Sequence, residues 1–81
     1  MREYIATFHT HLSALMTSRV LTGLGVQARM MPVPRKLSSS CGTCVWYRAD
    51  VSHLDAMDED VEAVYEKTGG ESYALVMEKN D

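Results

Sequence analysis

Both prolines and both cysteines of this chain fall in one stretch, Met31-Pro32-Val33-Pro34-Arg35-Lys36-Leu37-Ser38-Ser39-Ser40-Cys41-Gly42-Thr43-Cys44. Runs of β-forming residues flank it, Val26 to Met31 and Val45 to Arg48. The connection between them is about ten residues long, where hairpin loops usually have ~2–5, and a loop of that length in a small domain usually carries function. Pro32 and Pro34 fix their own φ and push Met31 and Val33 into extended conformations, so the chain leaves its strand stiffly. Ser38, Ser39, Ser40 and Gly42 then offer hydroxyls and accessible backbone N–H groups, while Arg35 and Lys36 bring positive charge. Such a setting favours a thiolate at Cys41. The competing structural reading is a polar turn whose cysteine tucks into the core.

The rest of the composition narrows the class. A chain of 81 residues makes one domain spanning residues 1–81, and at this size it buries only ~60–65% of its unfolded surface. An apolar fraction of 46% favours a folded globule, and no run approaches the ~18 apolar residues of a membrane span. Met1-Arg2-Glu3-Tyr4 begins a strand pattern without the charged-then-apolar layout of a signal peptide, so a cytoplasmic setting is expected. Two cysteines three positions apart in such a compartment read as reactive or metal-binding. Residues 1–50 carry six Lys/Arg against two Asp/Glu, and residues 51–81 carry two against nine. The basic half is too weakly charged, with no stacking aromatics beside its arginines, to suggest a nucleic-acid surface.

Taken in order, Tyr4 to Phe8 reads as strand one, and Thr10 as the N-cap of a helix whose buried stripe is Leu12, Leu15, Met16, Val20, Leu21 and Leu24. Gly23 and Gly25 supply its end. Val26 to Met31 is an edge strand ending at Pro32, and Cys44 to Arg48 is strand three. Ser52-His53-Leu54-Asp55 resembles a capping box for a second helix with a stripe of Leu54, Met57, Val61, Val64 and Tyr65, ended by Gly69-Gly70. Tyr73 to Met77 is the last strand, and Glu78 to Asp81 should fray. The order βαββαβ predicts an α+β, ferredoxin-like two-layer sandwich, a four-stranded antiparallel sheet in the order 4-1-3-2 with two helices on one face. That topology brings Phe8-His9-Thr10-His11 to the Cys41 loop, returns Gly69-Gly70 to the same edge, and keeps His53 away from it.

The segments Pro32-Val33-Pro34-Arg35 and Leu37-Ser38-Ser39-Ser40-Cys41-Gly42 closely resemble the signature of a small bacterial selenium/sulfur carrier protein-like family, a domain of unknown function. The likeness extends over most of the chain, through the strand ending in Phe8, the helix opening at Thr10 and Gly25 before the second strand. It implies that Cys41 is the carrier residue, with Arg35 and the serines as its setting, and that the partners are sulfur or selenium donor and acceptor enzymes. No cofactor is implied. Cys44 stands where an apolar strand residue is expected, a departure from the family pattern.

Four chemistries compete. In the first, Cys41 accepts a chalcogen as a persulfide or perselenide, with Arg35, Ser38, Ser39, Ser40, Gly42 and the helix start at Thr10 stabilising the anion. In the second, Cys41 and Cys44 exchange thiol and disulfide, although a C-x-x-C that opens a strand is unlike the usual helix-opening redox pair. In the third, the same two thiols form half a zinc site completed by His9 or His11. In the fourth, the domain is a non-catalytic interaction module whose exposed sheet face, with Tyr4, Trp46, Tyr47 and Tyr73, receives a partner or a second copy. No Ser-His-Asp arrangement, phosphate-binding glycine loop or paired catalytic carboxylates stand out, so a carrier or accessory protein fits better than an independent enzyme.

Overall fold

The computed structural model describes residues 1–79. The elements are β1 (Arg2–Phe8), α1 (His11–Gly23), β2 (Gln27–Pro32), β3 (Thr43–Ala49), a 3₁₀ turn at Leu54–Ala56, β4 (Val61–Gly69) and β5 (Ser72–Glu78). They form one five-stranded sheet in the order β2-β3-β1-β4-β5, antiparallel at every pairing. The fold is therefore α+β with a single helix, and the ferredoxin-like arrangement of four strands and two helices is not formed.

The segment read as a second helix decides this difference. Ser52 caps nothing, because His53 enters the 3₁₀ turn in the left-handed region at φ 51° without a capping hydrogen bond. Three residues of turn follow, and from Val61 the chain is a strand, in line with the β-branched and aromatic content of Val61, Val64 and Tyr65. A bulge disguises it. Glu62 is extra between the pairs Phe8↔Val61 and Thr7↔Ala63. It shifts the period-two alternation of β4 by one, so Val61 and Val64, three residues apart, both reach the core, a spacing that imitates a helical stripe. As a result Tyr73 to Met77 lies in β5 and pairs with β4 instead of β1. The turn at Gly69-Gly70 follows the Glu3↔Lys67 pair, at the end of the sheet away from Phe8, and does not return to the cysteine edge. Glu78 closes β5 and the Lys79 N–H donates to the Glu62 carbonyl at 2.9 Å, while Asn80 and Asp81, also expected to fray, lie outside the described residues.

Residues opposite one another in register share a face of the sheet. On the helix side, Tyr4, Ala6 and Phe8 meet Val45, Tyr47, Val61 and Val64, closed by Ala14 and Leu21 of α1. The Tyr4 and Tyr47 rings stack with centroids 5.1 Å apart. Thr10 caps α1 as expected, its hydroxyl accepting the Ser13 N–H at 3.1 Å, and Gly25 at φ 84° releases the chain into β2. The buried side of the helix is Ser13, Ala14, Thr17 and Leu21. Of the six apolar residues expected there only Leu21 is fully buried; Leu12, Met16, Val20 and Leu24 are exposed. The small polar residues win because the 57–60 segment needs partners. The Asp58 N–H donates to Thr17 Oγ1 at 3.0 Å, and the Ser13 hydroxyl donates to Asp60 Oδ2 at 3.3 Å.

On the opposite side of the sheet, Ile5, Thr7, Cys44 and Ala63 are at most 3% exposed although no helix lies over them. The β2–β3 connection roofs this area. Ser38 lines a cleft of about 200 Å³ with Thr7, Ala63 and Tyr65, and Lys36 and Leu37 reach across to Ser72 and Tyr73. The exposed sheet face offered by the sequence to a second copy is thus partly covered by the chain's own loop, and two of its expected aromatics, Tyr4 and Tyr47, are core residues. Trp46 remains half-buried, with the Arg29 guanidinium 5.2 Å from its ring centroid and its indole N–H donating to Glu3 Oε1 at 2.9 Å.

Candidate functional site

Pro32 ends β2 on the edge of the sheet, where a missing donor costs no ladder bond. The Val33 N–H donates to the Gly42 carbonyl at 3.2 Å and closes the base of the loop, and the Leu37 N–H donates to the Pro34 carbonyl at 3.0 Å. Gly42, at φ 73°, turns the chain into β3 with a backbone conformation that favours glycine. The closed loop meets the β1–α1 junction, the approach expected for Phe8 to His11. Ser39 Oγ lies 2.9 Å from the Phe8 carbonyl, His9 Nδ1 is 3.4 Å from Ser40 Oγ, and His11 Nδ1 is 3.5 Å from Thr43 Oγ1.

The two thiols sit in different surroundings. Cys41 is half-buried; its S–H donates to the Thr43 carbonyl at 3.4 Å, and Ser39 Oγ is 4.0 Å from its sulfur. Cys44 is fully buried under the loop, with its S–H directed to the Pro32 carbonyl at 3.7 Å. Burial, with a smaller contribution from the charge of Cys41, pushes the Cys44 thiol up to about 11. Both cysteines are free.

The donors expected to surround the sulfur are engaged elsewhere. Ser39 Oγ lies 2.9 Å from Glu62 Oε1, to which the Ser40 N–H donates at 3.1 Å, and the Ser40 hydroxyl donates to Oε2 at 2.7 Å. His9 Nδ1 stands 3.4 Å from the same Oε2. Burial alone would raise the Glu62 pKa, but the bonds from Ser40 and Ser39, helped by His9, outweigh it and hold the carboxyl below its ordinary value. Arg35 and Lys36 are exposed and enter no ion pair among the described residues. The charged group tied into the loop is therefore an anion, not the expected cations. Ser38 is exposed at the rim of the cleft, and the Thr10 hydroxyl is spent on its cap and on Ser13 Oγ at 2.9 Å. Among the described residues no group of three or more His, Cys, Asp or Glu is placed to hold a metal ion. His9 turns to Ser40 and Glu62, and His11 to Thr43, so neither completes a site with the cysteines.

Glu62 is the site residue that sequence reasoning missed. Its signal was a carboxylate alone within the apolar run Val61 to Tyr65, hidden by assigning that run to a solvated helix.

The family described as "Putative Se/S carrier protein-like" has a model that matches residues 3–68. The chain belongs to this family. The match takes in α1, the whole cysteine loop and nearly all of β1 and β4. The chain is also similar to an "Uncharacterized protein YtiA" from Escherichia coli (strain K12), 33% identical over 46 residues, which are 57% of this chain and 54% of that relative. The chain thus spans about half the length of the curated relative it matches. No solved structure matches it. No helix among the described residues is long and apolar enough to cross a membrane.

Proposed function

We propose that this protein carries sulfur or selenium on Cys41, taking the chalcogen from a donor enzyme and handing it to an acceptor. Membership of the carrier-like family supplies the class. The observation that supports the choice of residue is the contrast between the thiols: Cys41 is half-buried on a loop tied at both ends, whereas Cys44 is fully buried with its pKa pushed up to about 11.

In the loading step the Cys41 thiolate attacks the outer sulfur of a donor persulfide. The donor's S–S bond breaks as the new S–S bond forms on Cys41, the donor leaves as a thiolate, and the Cys41 proton goes to solvent. Nothing is oxidised or reduced overall. Discharge repeats the step with an acceptor thiolate attacking the outer sulfur, and a selenium atom follows the same path as a perselenide. Such a carrier needs an accessible sulfur more than a substrate pocket of its own, and it operates in a reducing cytoplasm where free thiols persist. A dithiol exchange role gains no support from Cys44, whose thiol is both shielded and reluctant to ionise.

The test is intact-mass spectrometry after incubation with a cysteine desulfurase and cysteine. Wild type and Cys44→Ser should gain one sulfur and Cys41→Ser none. A gain that persists in Cys41→Ser, or no gain in wild type, would overturn the proposal.

A further inference from the structure

The bulge in β4 leaves Glu62 without a strand partner between Val61 and Ala63, and a bulge is a device that re-aims a side chain. Here it sends the carboxylate, whose side chain is 21% exposed, into the serine triplet preceding Cys41. Each carboxylate oxygen is met from two sides: Oε1 by Ser39 Oγ and the Ser40 N–H, at 2.9 and 3.1 Å, and Oε2 by the Ser40 hydroxyl and His9, at 2.7 and 3.4 Å. Its backbone is fixed too, the carbonyl accepting from the Lys79 N–H at 2.9 Å. The Ser39 hydroxyl has a single proton and two oxygen acceptors at 2.9 Å, Phe8 O and Glu62 Oε1. That proton is not directed at the Cys41 sulfur 4.0 Å away.

We propose that Glu62 is the positioning residue of the Cys41 loop, an acidic latch that fixes Ser39 and Ser40 against the β1–α1 junction and withholds their donors and positive potential from the Cys41 sulfur. The distances of 4.0 Å from sulfur to Ser39 Oγ and 2.9 Å from there to Oε1 place the carboxylate within about 7 Å of the thiol. A negative charge at that range opposes the negative charge that the sulfur brings to an attack on an electrophile. The other titratable or charged groups at the site are His9 and His11 from the β1–α1 junction, Cys44 from β3, Tyr65 from β4 and, behind Glu62, Glu78 and Lys79 at the end of β5. Of these, His9 contacts the latch directly and opposes its charge when protonated. The latch rests on reading Cys41 as the working thiol, but its readouts are alkylation and amide exchange. They report on it whether or not a chalcogen adduct forms.

The experiment follows the rate of iodoacetamide alkylation of Cys41 at neutral pH in wild type, Glu62→Gln, Glu62→Ala and Ser40→Ala, together with amide hydrogen exchange of residues 39–41. Glu62→Gln keeps the size of the side chain and removes its charge. The alkylation rate should rise about threefold for a charge at this range in a solvated setting. Glu62→Ala should also speed exchange at residues 39–41 by about tenfold or more, the loss expected when charged hydrogen bonds are removed. Ser40→Ala should speed exchange while leaving the alkylation rate near that of wild type, because the charge remains. A Glu62→Gln rate at or below the wild-type value would overturn the charge role. Unchanged exchange in Glu62→Ala and Ser40→Ala would overturn the latch.

Discussion

Replacing Thr17 with Val tests how α1 sits on the sheet. Thr17 is 1% exposed on the helix face that meets the core, and its Oγ1 accepts the Asp58 N–H at 3.0 Å. Valine keeps the branched shape, so packing changes little, but the Asp58 N–H loses its acceptor. An orphaned donor of this kind costs ~1–3 kcal/mol. Thr17→Ser keeps the acceptor and removes one methyl group, for about 1 kcal/mol. Taking about 2 kcal/mol for the valine variant, and a shift of ~4–8 °C per kcal/mol in a domain of this size, its Tm should fall by about 8–16 °C. Urea unfolding followed by circular dichroism gives the order directly: wild type most stable, then serine, then valine. A valine variant as stable as wild type would refute the argument that hydrogen bonding to the 57–60 segment, more than apolar content, chooses the buried face.

Three further outcomes follow from the same geometry. Leu21→Ala should cost ~2–5 kcal/mol as a core truncation, whereas Met16→Gln and Val20→Gln should stay within about 0.5 kcal/mol because both residues are exposed; urea midpoints compare them. Glu62 has a folded pKa below its ordinary value of 4.5, so its contribution to stability is fully present above that value and is lost as pH falls through the folded pKa. Glu62→Gln should therefore remove part of the acid-side loss of stability seen in urea midpoints measured from neutral pH downward. In native protein near pH 8 a thiol-reactive chromophore should titrate one cysteine quickly, with the second, Cys44, appearing only on unfolding, since its pKa is about 11 and it is fully buried.

Local signals in the chain were legible where a single residue decides the outcome. Thr10 caps α1, Gly25 ends the turn after it, Pro32 marks an edge strand, and the loop that approaches the β1–α1 junction follows from the antiparallel pairing of β1 with β3. The second half misled because the bulge at Glu62 breaks the alternation that identifies β4 as a strand. Asp58, Glu59 and Asp60 directly precede β4 and open no helix. The helix face was misjudged for a related reason: a pattern of leucines and methionines measures apolarity, while Ser13 and Thr17 are buried because Asp60 and Asp58 need their hydroxyls. At the site, the grouping of Cys41 with the serine triplet in one long loop is legible in the sequence, but the partner of those serines comes from a strand more than twenty residues later. Only the fold brings Glu62 to them.

Carriage requires that one sulfur atom be both loaded and discharged at the same residue. The decisive measurement is therefore to isolate the loaded protein, map the extra atom by peptide mass spectrometry, and then follow its loss on addition of an acceptor thiol. The account predicts that the additional sulfur or selenium sits on the peptide containing Cys41 and leaves it as an equal amount appears on the acceptor, with the Cys44 sulfur unmodified throughout. An adduct located on Cys44, or one that the acceptor cannot remove from Cys41, would contradict it.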